Sequence, residues 1–392
     1  MRSPSLRSIP VASQRLSRAR HATRLQFLVL GVIAGTWGTH IPSVSVRYSL
    51  SAASLSLVLL AVALGTVAAL LFAGRIIARL GARNTVALFG LSMSASLAFV
   101  LEYPGFASLL AAMAVFGASM SLFDVAMNTE GSEIESLGKR PVMSNLHGMF
   151  SVGGMAGAAV TSALLDLHVA PATQLLVVCS GLAAIALVAS RAMLDTHASG
   201  DGGAVAHFAW PRGALLLIGT LAFAGMTAEG ILYDWSVLYL KQELGLAQAH
   251  AALGYATFTG SMALARFGGD RLRARFRERA VLGWSAAVAA LAMAIALIAA
   301  RGWVAYLGLA LAGAGLAPVA PILFNASTRV PGVSRAAAIA SVTTLGYSGF
   351  LVGPPIIGGI TTATSLTAAL FVVVLAAGIV AYGARFVPDK PG

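Results

Sequence analysis

Charge, cysteine and catalytic signatures are what this sequence has least of. Only 10% of its 392 residues are Asp, Glu, Lys or Arg, against about 25% in a soluble domain. That scarcity excludes an ordinary water-soluble globule. Cysteine occurs once, at Cys179, so no internal disulfide and no cysteine-based zinc site can form. HExxH, Walker, nucleophile-elbow and CxxC patterns are all absent, which removes the sequence warrants for metal hydrolysis, nucleotide hydrolysis, acyl transfer and thiol redox chemistry. No cofactor, no resident metal and no enzymatic activity are expected.

What is abundant is apolar surface. Hydrophobic residues make up 58% of the chain and mean hydropathy is +0.84. The apolar content falls in many blocks of roughly 20 residues, the length a membrane helix needs. Spans are expected near 25–46, 52–73, 84–101, 106–128, 142–164, 171–190, 213–238, 250–267, 280–300, 303–325, 336–359 and 363–384. The 42 glycines fit this all-α integral membrane reading, because small residues let membrane helices approach closely.

The net charge of +12 hints at a nucleic-acid binder until its distribution is examined. With twelve spans and the N-terminus inside, 23 of the Lys and Arg residues lie on the cytoplasmic side. Only Arg47, Lys241 and Arg301 lie outside. That asymmetry follows the positive-inside rule. The partner is therefore a lipid bilayer, not nucleic acid, with both termini cytoplasmic. The first 24 residues hold six Arg, five Ser and no acid. They resemble a transit peptide in composition, but are read here as a disordered, basic cytoplasmic tail.

The chain also repeats itself. Residues 191–212, RAMLDTHASGDGGAVAHFAWPR, interrupt the apolar rhythm with linker composition and separate six spans from six. This divides the chain into a basic tail (1–24), an N-terminal bundle (25–192), a linker (193–212), a C-terminal bundle (213–384) and a short tail (385–392). GRIIARLGAR (74–83) after span 2 is echoed by ARFGGDRLRARF (265–276) after span 8. Gly153 and Gly157 in span 5 are echoed by Gly349 and Gly353 in span 11, both as small-xxx-small packing faces, and Asn128 in span 4 by Asn325 in span 10. Internal duplication of this kind marks secondary transporters, whose site lies between the repeats.

Two six-helix halves, a long middle loop and the glycine–arginine run after span 2 resemble the major facilitator superfamily. Gly74, Arg79, Gly81 and Arg83 match that family's gating motif, although its acidic position is Ala78 here. The second copy offers Arg266, Asp270 and Arg271. WGTHIP (37–42), DVAMNTEG (124–131), SNLHGMFSVGGMAG (144–157) and EGILYDWS (229–236) resemble the bacterial branch related to fucose permease. The resemblance implies twelve transmembrane helices in two pseudo-symmetric bundles, alternating access, and a bacterial inner-membrane location.

Charges inside spans carry the functional signal. One at a helix centre costs about 2.5–3.5 kcal/mol on the insertion scale, so Asp124, Glu229 and Asp234 need an offset such as protonation, pairing or an aqueous cavity. Asp124 and Asn128 are four apart and share one face of span 4, about 6 Å along its axis. Glu130, Glu133 and Glu135 read instead as a solvated helix end. Asp124, His147, Glu229 and Asp234 are the candidates for proton coupling. Each has a structural alternative: a paired charge, a packing histidine, a cap.

Trp37, His40, Asn128, Asn325 and Trp235 are the candidates for contact with a small polar solute. Trp37 and Trp235 would stack on a sugar ring, or serve as interfacial anchors. Proton-linked symport of such a solute by a monomer is the leading expectation. Its rival is antiport export, to which GFLVGPPIIGG (349–359) lends a glycine–proline run, though in span 11 rather than span 5. A membrane enzyme or sensor is the remote third reading.

Overall fold

The computed structural model describes residues 8–140, 142–194, 196 and 212–388, and among them every regular element is helical. The first half comprises α1 (Ser8–Arg47), α2 (Ala52–Ala98), α3 (Phe106–Gly138), α4 (Met143–Asp166) and α5 (Pro171–Ser190). The second half comprises α6 (Ala214–Leu238), α7 (Gln248–Arg275), α8 (Glu278–Ala299), α9 (Gly302–Leu316), α10 (Val319–Ser327), α11 (Arg335–Ala363) and α12 (Leu366–Gly383). In lipid, a helix satisfies its own backbone groups, which is why these apolar blocks take no other form.

Ten helical stretches among the described residues, one of them α9 and α10 taken together, are long and apolar enough to cross a membrane, and the departures from twelve are informative. The 47 residues of α2 would stretch about 70 Å if straight, twice a bilayer. They carry spans 2 and 3, joined at Gly81 with φ 77° and ψ 157°, a left-handed turn that suits glycine. The chain has returned by Leu101, because Arg47 Nε donates to the Leu101 carbonyl at 2.9 Å. The Tyr48 hydroxyl donates to the carbonyl of Val100 at 2.9 Å, and burial raises that phenol above its ordinary range. Span 10 is split into α9 and α10 at Ala317–Pro318. Span 8 is α7, whose polar and charged residues together dilute its hydropathy.

Helix starts follow local chemistry. Ser51, Ser334 and Ser365 cap α2, α11 and α12 by accepting from the N–H groups three residues on, and Pro171 opens α5. Glu135, at the end of α3, accepts from the backbone N–H of Val142 and Met143 at 2.8 and 3.2 Å. That places a carboxylate on the positive end of the α4 dipole.

Two expectations need correction. The basic tail is helical from Ser8, not disordered, and its extension of span 1 buries Ala19, Ala22 and Thr23 at helical spacing. Nor is the end of α3 uniformly solvated, since Glu130 is fully buried. Its Oε1 accepts from the Leu194 N–H at 2.5 Å.

Each half is knit by glycine faces. A methyl group on Gly153 or Gly157 would collide with the carbonyl of Leu28 or Val32, where α4 lies on α1. On Gly349 it would meet the Phe223 carbonyl, where α11 lies on α6; Gly353 approaches Ile231 more loosely. The halves then meet along two flanks, α4 against α7 and α2 against α11. Gly260 lies by Met155 on one flank and Gly358 by Ser56 on the other.

Candidate functional site

Between the halves sits a cluster of charge. Arg266, well along α7, places Nη2 3.3 Å from Glu229 Oε1 on α6. Its Nη1 donates to Ser151 Oγ on α4 at 3.1 Å. One guanidinium thus grips an acid of its own half and a hydroxyl of the other. The side chains are 24% and 12% exposed, so the pair is largely desolvated and each charge offsets the burial of its partner. Tyr233, one turn beyond Glu229, stacks with Tyr255 and Phe258 at ring-centre distances of 5.6 and 5.2 Å.

Three further groups converge on this pair. Tyr347, midway along α11, is 42% exposed yet lies within electrostatic range of Asp124, Glu229 and Arg266. Its position amid charges from both halves places it at the seam, or cleft, between them. His147 on α4 also senses Arg266 and sets its ring edge-on to Phe27 at 5.2 Å. Asn128 Nδ2 donates to Asp124 Oδ1 at 3.0 Å and to the Asp124 carbonyl at 2.9 Å. Asp124 has no cation partner among the described residues. The arrangement combines an ion pair, an acid without a cation partner and several hydroxyl, amide and imidazole groups. That chemistry suits binding a polar solute and exchanging a proton, and nothing in it is a nucleophile–base pair.

No family model matches the chain, but known proteins resemble it along nearly its whole length. An uncharacterised MFS-type transporter of Yersinia pestis is 35% identical over 378 residues, covering 96% of this chain and 97% of that one. The chain belongs to the major facilitator superfamily. A second relative of this transporter, the membrane protein MosC of Rhizobium meliloti, is 32% identical over 366 residues, 93% of this chain and 89% of its own. Solved structures share the fold at lower identity. The fucose:proton symporter FucP of E. coli aligns with TM-score 0.63 and 16% identity over 94% of this chain and 98% of its own. A D-xylose–proton symporter aligns with TM-score 0.77 and 14% identity over 95% and 98%. The Yersinia relative and both solved neighbours are named as transporters rather than enzymes, and this chain is a multi-pass MFS transporter.

Of the residues singled out by sequence, the transporter brings Asp124, Asn128, His147 and Glu229 to the cleft. It adds Arg266, which the motif had placed in the gate. The others lie elsewhere. Trp37 is 6% exposed and packs on Phe116 inside the first half, ring centres 5.9 Å apart. His40 is buried, with Nδ1 3.4 Å from Ser43 Oγ. Trp235 is buried with its indole N–H unpartnered among the described residues. Asp234 is partly buried and has no hydrogen-bond or ion partner among them. Asn325 is exposed and donates to Glu278 Oε1 at 3.2 Å, near the face that carries the termini.

At the sequence's gating motif, Gly74 and Arg79 are exposed. Gly81 makes the turn and Arg83 Nη2 donates to the Met193 carbonyl at 2.8 Å. The side chains of Asp270 and Arg271 lie outside the described residues. On the face away from the termini, Gln248 Nε2 donates to Thr39 O at 3.1 Å and Ser43 Oγ at 2.8 Å, joining α7 to α1. Gly38 abuts the Tyr255 ring beside this contact. Sequence reasoning missed Ser151, Tyr233, Tyr347 and Gln248. A serine in a glycine-rich face reads as packing, and tyrosines in spans read as core, so only the Tyr-Ser-Gly run at 347–349 offered a weak signal.

Proposed function

We propose that this MFS transporter carries a small polar solute of the sugar class by proton-coupled symport. The observation that supports this most is the Glu229–Arg266–Ser151 bridge, a charged link between halves that must break and re-form if the halves rock. Asp124, the cleft acid without a cation partner, is assigned the transported proton. Glu229 is assigned the coupling step, in which protonation or solute binding competes for Arg266. Asn128, His147, Ser151 and Tyr347 are assigned to the solute, being hydrogen-bonding groups around the same cleft. The printed names of two fold neighbours, a fucose:proton symporter and a D-xylose–proton symporter, support this class.

The division into bundles at 25–192 and 213–384 belongs to this reading, as does action as a monomer, since one chain supplies both walls of the cleft. The termini face is assigned to the cytoplasm of a bacterial inner membrane. Under that assignment the Gln248 contact is the extracellular seal and the present state is closed to the outside.

Proteoliposomes with an inward proton gradient test the proposal. Labelled sugar uptake should rise with the gradient and fall about a hundredfold in Asp124→Asn, the scale of losing a positioned proton-transfer group. Gradient-driven export of the sugar, or unchanged proton-dependent uptake in both Asp124→Asn and Glu229→Gln, would overturn it.

A further inference from the structure

Away from the cleft, at the termini face, α8 and α12 enclose a groove of about 400 Å³ lined by Arg279, Gly283, Trp284, Ala381 and Arg385 among others. Small residues make its floor. A methyl group on Gly283 would already lie 3.5 Å from both the Ala381 carbonyl and the Ala384 side chain. Its walls are aromatic and cationic. Trp284, 77% exposed, lines it with Arg279 and Arg385, and beside the groove the Arg385 guanidinium lies 3.5 Å over the Tyr382 ring and 4.7 Å from Phe386.

A guanidinium seated over a ring still carries N–H groups in the planar fork that matches a phosphate. The groove starts in the first turn of α8 and ends just past the last turn of α12, which is headgroup depth for helices of this length. Below it, the apolar floor runs toward the bilayer core. A smooth apolar channel with two guanidinium groups at its mouth complements one occupant: a lipid with acyl chains and an anionic headgroup.

We propose that this groove is a binding site for a single anionic phospholipid. The headgroup phosphate lies against Arg279 and Arg385, and an acyl chain lies along Ala280, Gly283 and Ala384. Trp284 flanks the glycerol region. The site clamps the ends of α8 and α12, two helices of one half, and owes nothing to the transported solute. The opposite end of α8 provides an internal control, because a groove of about 600 Å³ there carries a single arginine, Arg301, beside Trp303.

Native mass spectrometry of the full-length detergent-solubilised chain tests this, with phosphatidylglycerol and phosphatidylcholine of matched acyl length added in turn. One phosphatidylglycerol should be retained in preference to phosphatidylcholine. Retention should fall roughly tenfold in the Arg279→Ala/Arg385→Ala double variant, the scale of losing charge-assisted hydrogen bonds. Arg301→Ala should leave it unchanged. Should the double variant fail to fold, Arg385→Lys keeps the charge but loses the planar fork and the ring stacking, and it should narrow the preference between the two lipids. Equal retention of the two lipids by the unmodified chain, or undiminished phosphatidylglycerol retention in the folded variants, would overturn the proposal.

Discussion

At the termini face, the first half holds the segment leaving α5 and the second half holds the segment leaving α12, but with opposite charge logic. In the first half the buried acid is on the fourth span: Glu130 accepts from the Leu194 N–H. The base, Arg83, starts the third span and donates to the Met193 carbonyl. The acid and base are also within electrostatic range of each other. In the second half the acid, Glu278, starts the ninth span and pairs at 2.5 Å with Arg329, just past the tenth. Arg329 Nη1 also reaches the Pro388 carbonyl at 3.4 Å. The duplicated architecture has kept the task of tying the last helix's exit to the third and fourth helices, while the residues that do it have exchanged charge. Geometry is conserved between the halves; the ionic solution is not.

The difference also changes how each tie fails. Glu278 is 3% exposed and relies on a cation, whereas Glu130 relies first on a backbone N–H. Arg329→Ala should therefore have the largest effect, about 3–5 kcal/mol for breaking a buried ion pair by removing its cation. It should be read as a steep fall in the apparent Tm of the purified chain. An equal fall in Arg83→Ala would erase the asymmetry.

Next come the matched glycines. Gly153→Ala and Gly349→Ala each push a methyl group into a neighbouring carbonyl, and each should cost about 1–3 kcal/mol by overpacking. A large inequality in Tm between these two would show that the halves are packed differently. Glu130→Gln retains an acceptor for Leu194 and should cost only about 1 kcal/mol, the charge-assisted increment.

The contact between halves should move Tm least, since its loss shifts the balance of states rather than unfolding the chain. Gln248→Ala removes the two hydrogen bonds to Thr39 and Ser43 that cross between the halves, and one accepted from Lys241 Nζ, and should populate a state open at the face away from the termini. Spin labels at Ser51 and Thr364, placed in a Cys179→Ser background, should then show an added longer-distance component. An unchanged distribution would mean that the α2–α11 flank alone closes that face.

Span existence was legible because hydropathy acts residue by residue, and a helix in lipid needs no partner to satisfy its backbone. The Asp124–Asn128 pair was legible too, since i,i+4 spacing fixes a shared helical face. Glu130 was not. Its neighbours Glu133 and Glu135 read as a solvated end, and the N–H that holds it comes from 64 residues away. Arg266 was misplaced for a related reason: its motif position pointed to a gate, while its side chain turns back along α7 toward Glu229. The helical start at Ser8 escaped notice because six arginines outweighed the sparse alanine stripe that packs.

The order of amino acids is enough to settle that this chain lives in a bilayer, as helices, in two related halves. Those outcomes follow from transfer free energies and backbone hydrogen bonding, which are local and additive along the chain. Which buried charges meet, which half supplies Ser151 to Arg266, and which face is shut were decided only by the packed structure. Each of those depends on two helix faces, distant in sequence, arriving within about 3 Å of each other, the hydrogen-bonding range.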